Sequence, residues 1–267
     1  MIKGKHFKMI YKNKMKQVLK SGGIVFGPMI SEIRSSGLAI LFAKAGFDFF
    51  FLDMEHSCFT METMSDMILA ARAADIPVIV RPSSRNSEDH LSRPLDAGAA
   101  GLLVPQIQDA DDVRKVVKWC RYAPEGERGM ALARQQTFFE AGNTVETMAR
   151  LNEEVLVAIQ IEDRRAVENL PEILSVPGID VAYVGPSDLS ASYGKPGKSG
   201  APEVEAAVLR VIEVCNETGV IPGIHTGSVD MARRWIEKGM KMVGYNTDIK
   251  LILEVCNRSV KALRALI

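Results

Sequence analysis

Eight short apolar runs, each followed by a polar turn and then by a helical pattern, restrict this chain to very few folds. The runs lie at Ile24–Phe26, Phe47–Asp53, Ile76–Arg81, Ala100–Val104, Glu154–Glu162, Ile179–Val184, Val220–His225 and Met240–Tyr245. Stretches such as Phe49-Phe50-Phe51-Leu52 show no alternation of apolar and polar residues. A strand of that kind is covered on both faces, as in a parallel sheet flanked by helices. Helical spacing follows each run, as over Ser31–Ala45, closed by Gly46, and at Thr60–Ala74 with Met61, Met64, Ile68 and Ala71 on one face. Eight strand–helix pairs in 267 residues predict a single α/β domain, a (β/α)8 TIM barrel. A leading helix is expected within residues 1–21, over about Phe7–Lys20, and a long closing helix over 248–267. The segment Ala123–Asn143 interrupts the rhythm with Pro124, Gly126, Gly129 and Gly142, and a loop of this length in a compact domain usually serves function.

Charge and cysteine usage exclude several classes of partner. Lys plus Arg and Asp plus Glu both number 33. That balance provides no footprint for nucleic acid and no general attraction to acidic membranes. An anionic substrate must therefore be held by local charges. No apolar run reaches the ~18 residues that span a bilayer. Cys58, Cys120, Cys215 and Cys256 are scattered and form no CxxC pair, so they are read as reduced thiols of a cytoplasmic protein. GxGxxG, P-loop and GxSxG motifs are lacking, which removes nucleotide and serine-hydrolase readings.

Chemistry-bearing residues fall where the apolar runs end, and a TIM barrel builds its active site at the carboxyl ends of its strands. Glu162 and Asp188 stand one strand–helix–strand step apart, on neighbouring strand ends. Together they suit a hard divalent cation that keeps open positions for water and substrate; singly, each could be a solvated acid, and Asp188 could cap a helix starting at Leu189. His56, close to Asp53, offers a proton acceptor near neutral pH with an acid to fix its tautomer. Glu55 is a further possible orienter or a water-mediated neighbour of the cation. Arg81 ends the third strand, and its planar fork can grip a carboxylate or an enolate oxygen or form a salt bridge with Glu55 or Asp53. Gln160 lies two residues before Glu162, so alternation puts both on the inner face. His225 ends the seventh strand as a possible contact for the variable part of a substrate. An aldol route through a Schiff base needs a lysine on this rim, and none is placed there; Lys241 begins its strand at the opposite end.

At these residues the chain resembles the HpcH/HpaI aldolases, metal-dependent pyruvate aldolases related to the phosphoenolpyruvate/pyruvate barrels. The matching pieces are Ala45-Gly46-Phe47-Asp48, Asp53-Met54-Glu55-His56, Val80-Arg81-Pro82, Leu102-Leu103-Val104-Pro105, Pro124-Glu125-Gly126-Glu127-Arg128-Gly129, Gln160-Ile161-Glu162 and Gly185-Pro186-Ser187-Asp188-Leu189-Ser190. The resemblance implies that Glu162 and Asp188 hold Mg2+, Mn2+ or Co2+, that His56 paired with Asp53 is the general base, and that Arg81 polarises the pyruvate oxygens. It implies that Gln160 and the backbone amide near Ser187 position the carboxylate. The reaction it implies splits a 4-hydroxy-2-oxo acid into pyruvate and an aldehyde through a metal-stabilised enolate. It also implies a homo-oligomer, a hexamer built as a trimer of dimers, with the final helix exchanged between subunits. The chain departs from many relatives at Phe26-Gly27-Pro28 and at Gly223-Ile224-His225-Thr226-Gly227, which leaves the aldehyde partner open. Alternatives are an acyl-CoA lyase of the citrate-lyase-β type, for which no dense Lys/Arg cluster stands at the rim, an oxaloacetate decarboxylase, and a non-catalytic barrel that binds a small acid.

Overall fold

A computed structural model describes residues 10–267. The chain runs α1 (Lys14–Lys20), β1 (Val25–Ile30), α2 (Gly37–Ala45), β2 (Phe50–Asp53), α3 (Met61–Ala73), β3 (Val78–Arg81), α4 (Glu88–Asp96), β4 (Gly101–Val104) and α5 (Ala110–Cys120). It continues with α6 (Thr144–Glu154), β5 (Leu156–Ile161), α7 (Arg164–Glu168), α8 (Leu170–Ser175), β6 (Val181–Val184), α9 (Pro186–Ser192), α10 (Pro202–Thr218), β7 (Ile221–Thr226), α11 (Val229–Glu237), β8 (Met242–Thr247) and α12 (Asp248–Arg264). The eight strands pair in sequence order, and β8 closes on β1. All the ladders are parallel. The expected (β/α)8 barrel is therefore the fold.

Alternation along each strand sorts its side chains between two cores. Phe49, Phe51, Ile79, Leu103, Leu156, Ala158, Val181, Tyr183 and Met242 fill the barrel interior. Their neighbours Phe50, Leu52, Val78, Val80, Leu102, Val157, Ile159, Ala182 and Val184 pack outward beneath the helices. Full burial of each Val, Leu, Ile, Phe or Met side chain among them contributes roughly 1.5–3 kcal/mol. The same parity carries function: with Phe51, Ile79, Ala158 and Tyr183 inside, Asp53, Arg81, Gln160, Glu162 and Gly185 must also turn inward.

Helix α1 plugs the amino end of the barrel, with Met15 and Leu19 joining the inner core. The leading helix expected over Phe7–Lys20 is found at Lys14–Lys20; the beginning of that expectation lies outside the described residues. Lys16 is buried there and donates 2.7 Å to the Val155 carbonyl. Asp180 joins it at 2.9 Å, receives Arg121 Nη2 at 3.1 Å, and accepts from the Val157 amide at 2.9 Å. Removing one member of a buried ion network leaves charge without a counterion and costs about 3–5 kcal/mol. Asp180→Ala is thus expected to destabilise the barrel by that amount, about 6–20 °C in melting temperature at this chain length. A melting temperature equal to wild type in differential scanning calorimetry would show that Lys16 and Arg121 do not need Asp180.

One boundary differs from the sequence expectation for an identifiable reason. The helix expected from Ser31 starts at Gly37, because the Glu32 and Ile33 amides turn to the Asp248 carboxylate at 3.1 and 2.8 Å. Those bonds tie the end of β1 to the start of α12. The interrupting loop, expected at Ala123–Asn143, contains a single 3-10 turn at Gln135–Thr137. It is pinned by Arg128 on Asp96 and by Arg72, which donates to the Gln135 and Gln136 carbonyls and lies 3.8 Å from the centre of the Phe138 ring.

Candidate active site

Strand register brings Asp53 opposite Arg81 across β2 and β3. The guanidinium grips the carboxylate bidentately, Nε to Oδ1 at 2.9 Å and Nη2 to Oδ2 at 2.7 Å. Glu55 Oε2 lies 3.4 Å from the same Nε. Burial alone pulls the Arg81 pKa down, but the bonds to Asp53 and the charges of Asp53, Glu55 and Glu162 outweigh it and hold the guanidinium charged. Because Nε and Nη2 are committed, the Nη1 hydrogens remain for an anionic ligand.

The base pair inferred from the sequence is rearranged. Asp53 is committed to Arg81, and its Oδ1 also accepts from the Glu55 and His56 main-chain amides at 3.0 and 3.4 Å. It therefore does not orient the His56 ring. The acid nearest that ring is Glu55, with Oε2 3.7 Å from Nε2. The physical reason is local. Asp53 is the last residue of β2 and points into the barrel, whereas His56 lies on the loop beyond it with its side chain 64% exposed at the mouth.

Across the barrel, Gln160 and Glu162 share the inner face of β5 and its end. Gln160 Nε2 donates to Glu162 Oε2, and Glu162 Oε1 accepts from the Gln106 amide at 2.7 Å. Burial pushes Glu162 up to about 7; the Gln106 amide opposes this, Glu55 and Asp188 add to it, and Arg81 opposes it. Asp188 is exposed in the first turn of α9. That helix starts at Pro186 with Gly185 as its N-cap and no side-chain cap bond, so Asp188 is not a helix cap. Ser187 precedes it, also exposed, with its amide in the helical turn that lacks internal acceptors.

Among the described residues no three His, Cys, Asp or Glu side chains converge as a metal cluster. Glu162 and Asp188 nevertheless fit a hard divalent ion, which takes one or two carboxylates and fills its remaining positions with water or substrate. Two features beside Glu162 agree with this. Gln160 Oε1 is buried without a hydrogen-bond partner. A Cβ on Gly185 would stand 2.8 Å from Gln160 Nε2 and 2.9 Å from Glu162 Oε2, so only glycine leaves that face of the carboxylate open.

The floor of the site is formed by Tyr183 and His225, whose Oη and Nδ1 lie 3.4 Å apart. His225 is paired in register with Gly244, where a Cβ would collide with both groups. Burial, then the charges of Arg81 and Lys250, pushes the His225 pKa down to about 4, so its imidazole is neutral near pH 7. The structure thus gathers Asp53, Arg81, Gln160, Glu162 and His225 on the inner face, with His56, Ser187 and Asp188 on the rim. Gln106, Gly185 and Tyr183 were not foreseen. Parity from Val181 could have found Tyr183 and Gly185; only the fold reveals Gln106.

A family model described as HpcH/HpaI aldolase/citrate lyase matches residues 33–254. The 4-hydroxy-2-oxo-heptane-1,7-dioate aldolase of Escherichia coli is 36% identical over 242 residues, which is 90% of this chain and 90% of that protein. The crystal structure of an HpcH/HpaI aldolase from Desulfitobacterium hafniense DCB-2 superposes with a TM-score of 0.89 at 30% identity, covering 93% of this chain and 96% of the other. The citrate synthase SbnG superposes with a TM-score of 0.84 at 28% identity, covering 94% and 97%. Barrel and relatives agree: this chain belongs to the HpcH/HpaI aldolase/citrate lyase family and is a carbon–carbon lyase.

Proposed function

We propose that the protein is a divalent-cation-dependent pyruvate aldolase that cleaves, or forms, a 4-hydroxy-2-oxo acid. One observation carries this reading: an acid-clamped guanidinium, Arg81, shares the inner face with one hard oxygen donor, Glu162, whose protonation it influences together with Asp188, a second such donor on the rim. Arg81 Nη1 holds the oxygen at C2, and Gln160 with the Ser187 amide orients the carboxylate. In the cleavage direction His56 accepts the C4 hydroxyl proton. The C4 oxygen becomes the aldehyde carbonyl as the C3–C4 bond breaks, and its electron pair passes to the pyruvate half as an enolate. Protonation at C3 then releases pyruvate. A divalent ion held by Glu162 and Asp188, such as Mg2+, Mn2+ or Co2+, supplies Lewis-acid stabilisation of that negative charge. By analogy with the E. coli relative's name, 4-hydroxy-2-oxo-heptane-1,7-dioate is the first substrate to test.

Pyruvate release from that acid is expected to fall at least ~100-fold with EDTA and to return on adding Mg2+ or Mn2+. Full activity after exhaustive chelation would dismiss the cation. Because the proton and the cation compete for Glu162, whose pKa lies at about 7 in the ion-free site, the metal concentration needed for half-activity should rise as pH falls through 7.

The working unit is proposed to be a homo-oligomer, a trimer of dimers, that exchanges α12. Along this helix only Asp248 is buried, while Ile252, Leu253, Val255, Val260 and Leu263 are exposed. On the barrel wall, Phe26, Phe47, Val229, Ala232, Ile236, Val243 and Tyr245 line an apolar groove. An apolar helix stripe and an apolar groove on the same chain suit exchange between copies. Leu253→Glu with Val260→Glu is expected to lower the mass in light scattering below that of the wild-type assembly; an unchanged mass would place α12 outside the interface. Of wider placement, no helix among the described residues is long and apolar enough to cross a membrane.

A further inference from the structure

The carboxyl ends of β7 and β8 carry two polar side chains, His225 and Asn246, that the pyruvate half of the reaction does not use. Val243 and Tyr245 line the outer groove, and Met242 lies in the inner core. Alternation therefore leaves Gly244 and Asn246 on the inner side of β8. Gly244 is paired in register with His225, so Asn246 stands one pleat, roughly 7 Å, nearer the mouth than that pair. Asn246 is 6% exposed. Among the described residues no hydrogen bond reaches its side-chain amide, yet neither amide atom is sealed from solvent. Helix α1 and the inner core close the barrel from below, so the amide opens into the mouth. Its backbone holds a φ of 56°. Glycine would meet that conformation freely, so the turn itself does not call for an amide. His225 Nε2 is likewise without a partner among the described residues and open to solvent, while Nδ1 faces Tyr183 Oη at 3.4 Å. Both groups are neutral near pH 7, the imidazole because burial, then the charges of Arg81 and Lys250, hold its pKa at about 4.

We propose that Asn246 and His225 form a specificity-determining subsite for hydroxyl groups on the aldehyde half of the substrate, and that the preferred aldehyde is a short 2-hydroxyaldehyde. The identity of the ligand rests on the aldolase reading above; the open polar wall does not. A hydroxyl both donates and accepts, so it answers Nε2 whichever ring nitrogen carries the hydrogen, and it answers either end of the amide. A carboxylate only accepts and would leave the amide carbonyl bare. In the aldol the aldehyde carbon becomes C4, and the hydroxyl beside it becomes the C5 hydroxyl. With C1 and C2 held at Arg81, Gln160 and the Ser187 amide, the chain beyond C4 is the part left to meet β7 and β8. A site built to bond a hydroxyl discriminates against the analogue that lacks it, because its own polar groups are then left without partners.

Condensation of pyruvate with glyceraldehyde and with propionaldehyde, which differ only in their hydroxyls, provides the first measurement. The ratio of the two kcat/KM values cancels whatever affects both aldehydes alike. Asn246→Gly suits the left-handed backbone and removes only the amide. It is expected to lower the ratio of glyceraldehyde to propionaldehyde about fivefold, the scale of one hydrogen bond. His225→Phe keeps a flat ring without nitrogens and should lower the ratio by a similar factor. Equal losses for the two aldehydes, or a ratio that does not move, would overturn the subsite. Titration calorimetry with 5-hydroxy-2-oxopentanoate and 2-oxopentanoate in the presence of Mg2+ needs no turnover, because neither acid has the C4 hydroxyl from which cleavage starts. Wild type is expected to bind the hydroxylated acid about fivefold more tightly, and Asn246→Gly to bind the two alike. Equal affinities in wild type overturn the subsite even in an active aldolase. A preference for the hydroxylated acid in an enzyme inert to every 4-hydroxy-2-oxo acid would sink only the aldolase reading, and failure of both acids to bind would overturn the two together.

Discussion

Replacing Arg81 with lysine is expected to lower kcat for pyruvate release by about 10²–10³-fold, the measured scale for losing one aimed donor to a developing oxyanion. Lysine retains the charge, but an ammonium cannot grip Asp53 with two parallel bonds and still present hydrogens to a substrate oxygen. The geometry sets the size of the effect. Arg81 is 8% exposed, so water cannot replace the missing donors. Its Nε and Nη2 are spent on Asp53 at 2.9 and 2.7 Å, and the task that remains falls to Nη1. Stability should fall as well, because Asp53, 2% exposed, loses charge-assisted bonds worth about 1.5–3 kcal/mol each. Steady-state kinetics and a thermal melt on the same preparation separate the two losses. Near-normal kcat would show that Arg81 serves only as the structural partner of Asp53 and Glu55.

His56→Ala is expected to separate catalysis from stability altogether. A positioned general base contributes about 10²–10⁴-fold, so kcat should drop within that range. The melting temperature should not move: the His56 side chain is 64% exposed, and the nearest acid stands 3.7 Å away, beyond a hydrogen bond. Cation binding should also persist, since His56 is outside the Glu162–Asp188 pair. Turnover within a few-fold of wild type would dismiss the base assignment and pass the proton to a water or to Glu55.

The barrel was legible because its signal is local and repeated. Phe49-Phe50-Phe51-Leu52 and Leu156-Val157-Ala158-Ile159 each announce a strand covered on both faces, and the helices between them carry their own spacing. The site was legible as a list for a related reason. Once the strands are placed, parity alone turns Asp53, Arg81, Gln160 and Glu162 inward. Pairing was less accessible. The spacing of Asp53 and His56 suggested a dyad, yet the register of β2 against β3 gives Asp53 to Arg81. Gln106 carries no motif at all. Its contacts arise from a positive φ that sends the amide towards β5 and the side chain towards the loop after β2. Helix α2 begins late because Asp248, far along the chain, captures the Glu32 and Ile33 amides.

Apolar periodicity and strand-end residue types, both properties of short segments, determined by themselves that this chain closes into a barrel with acids, a histidine and a guanidinium around its mouth. Which acid serves which partner was decided only in three dimensions. Carboxylates compete for a limited number of buried donors, and the outcome depends on distances of a few tenths of an ångström between strands that are remote in sequence.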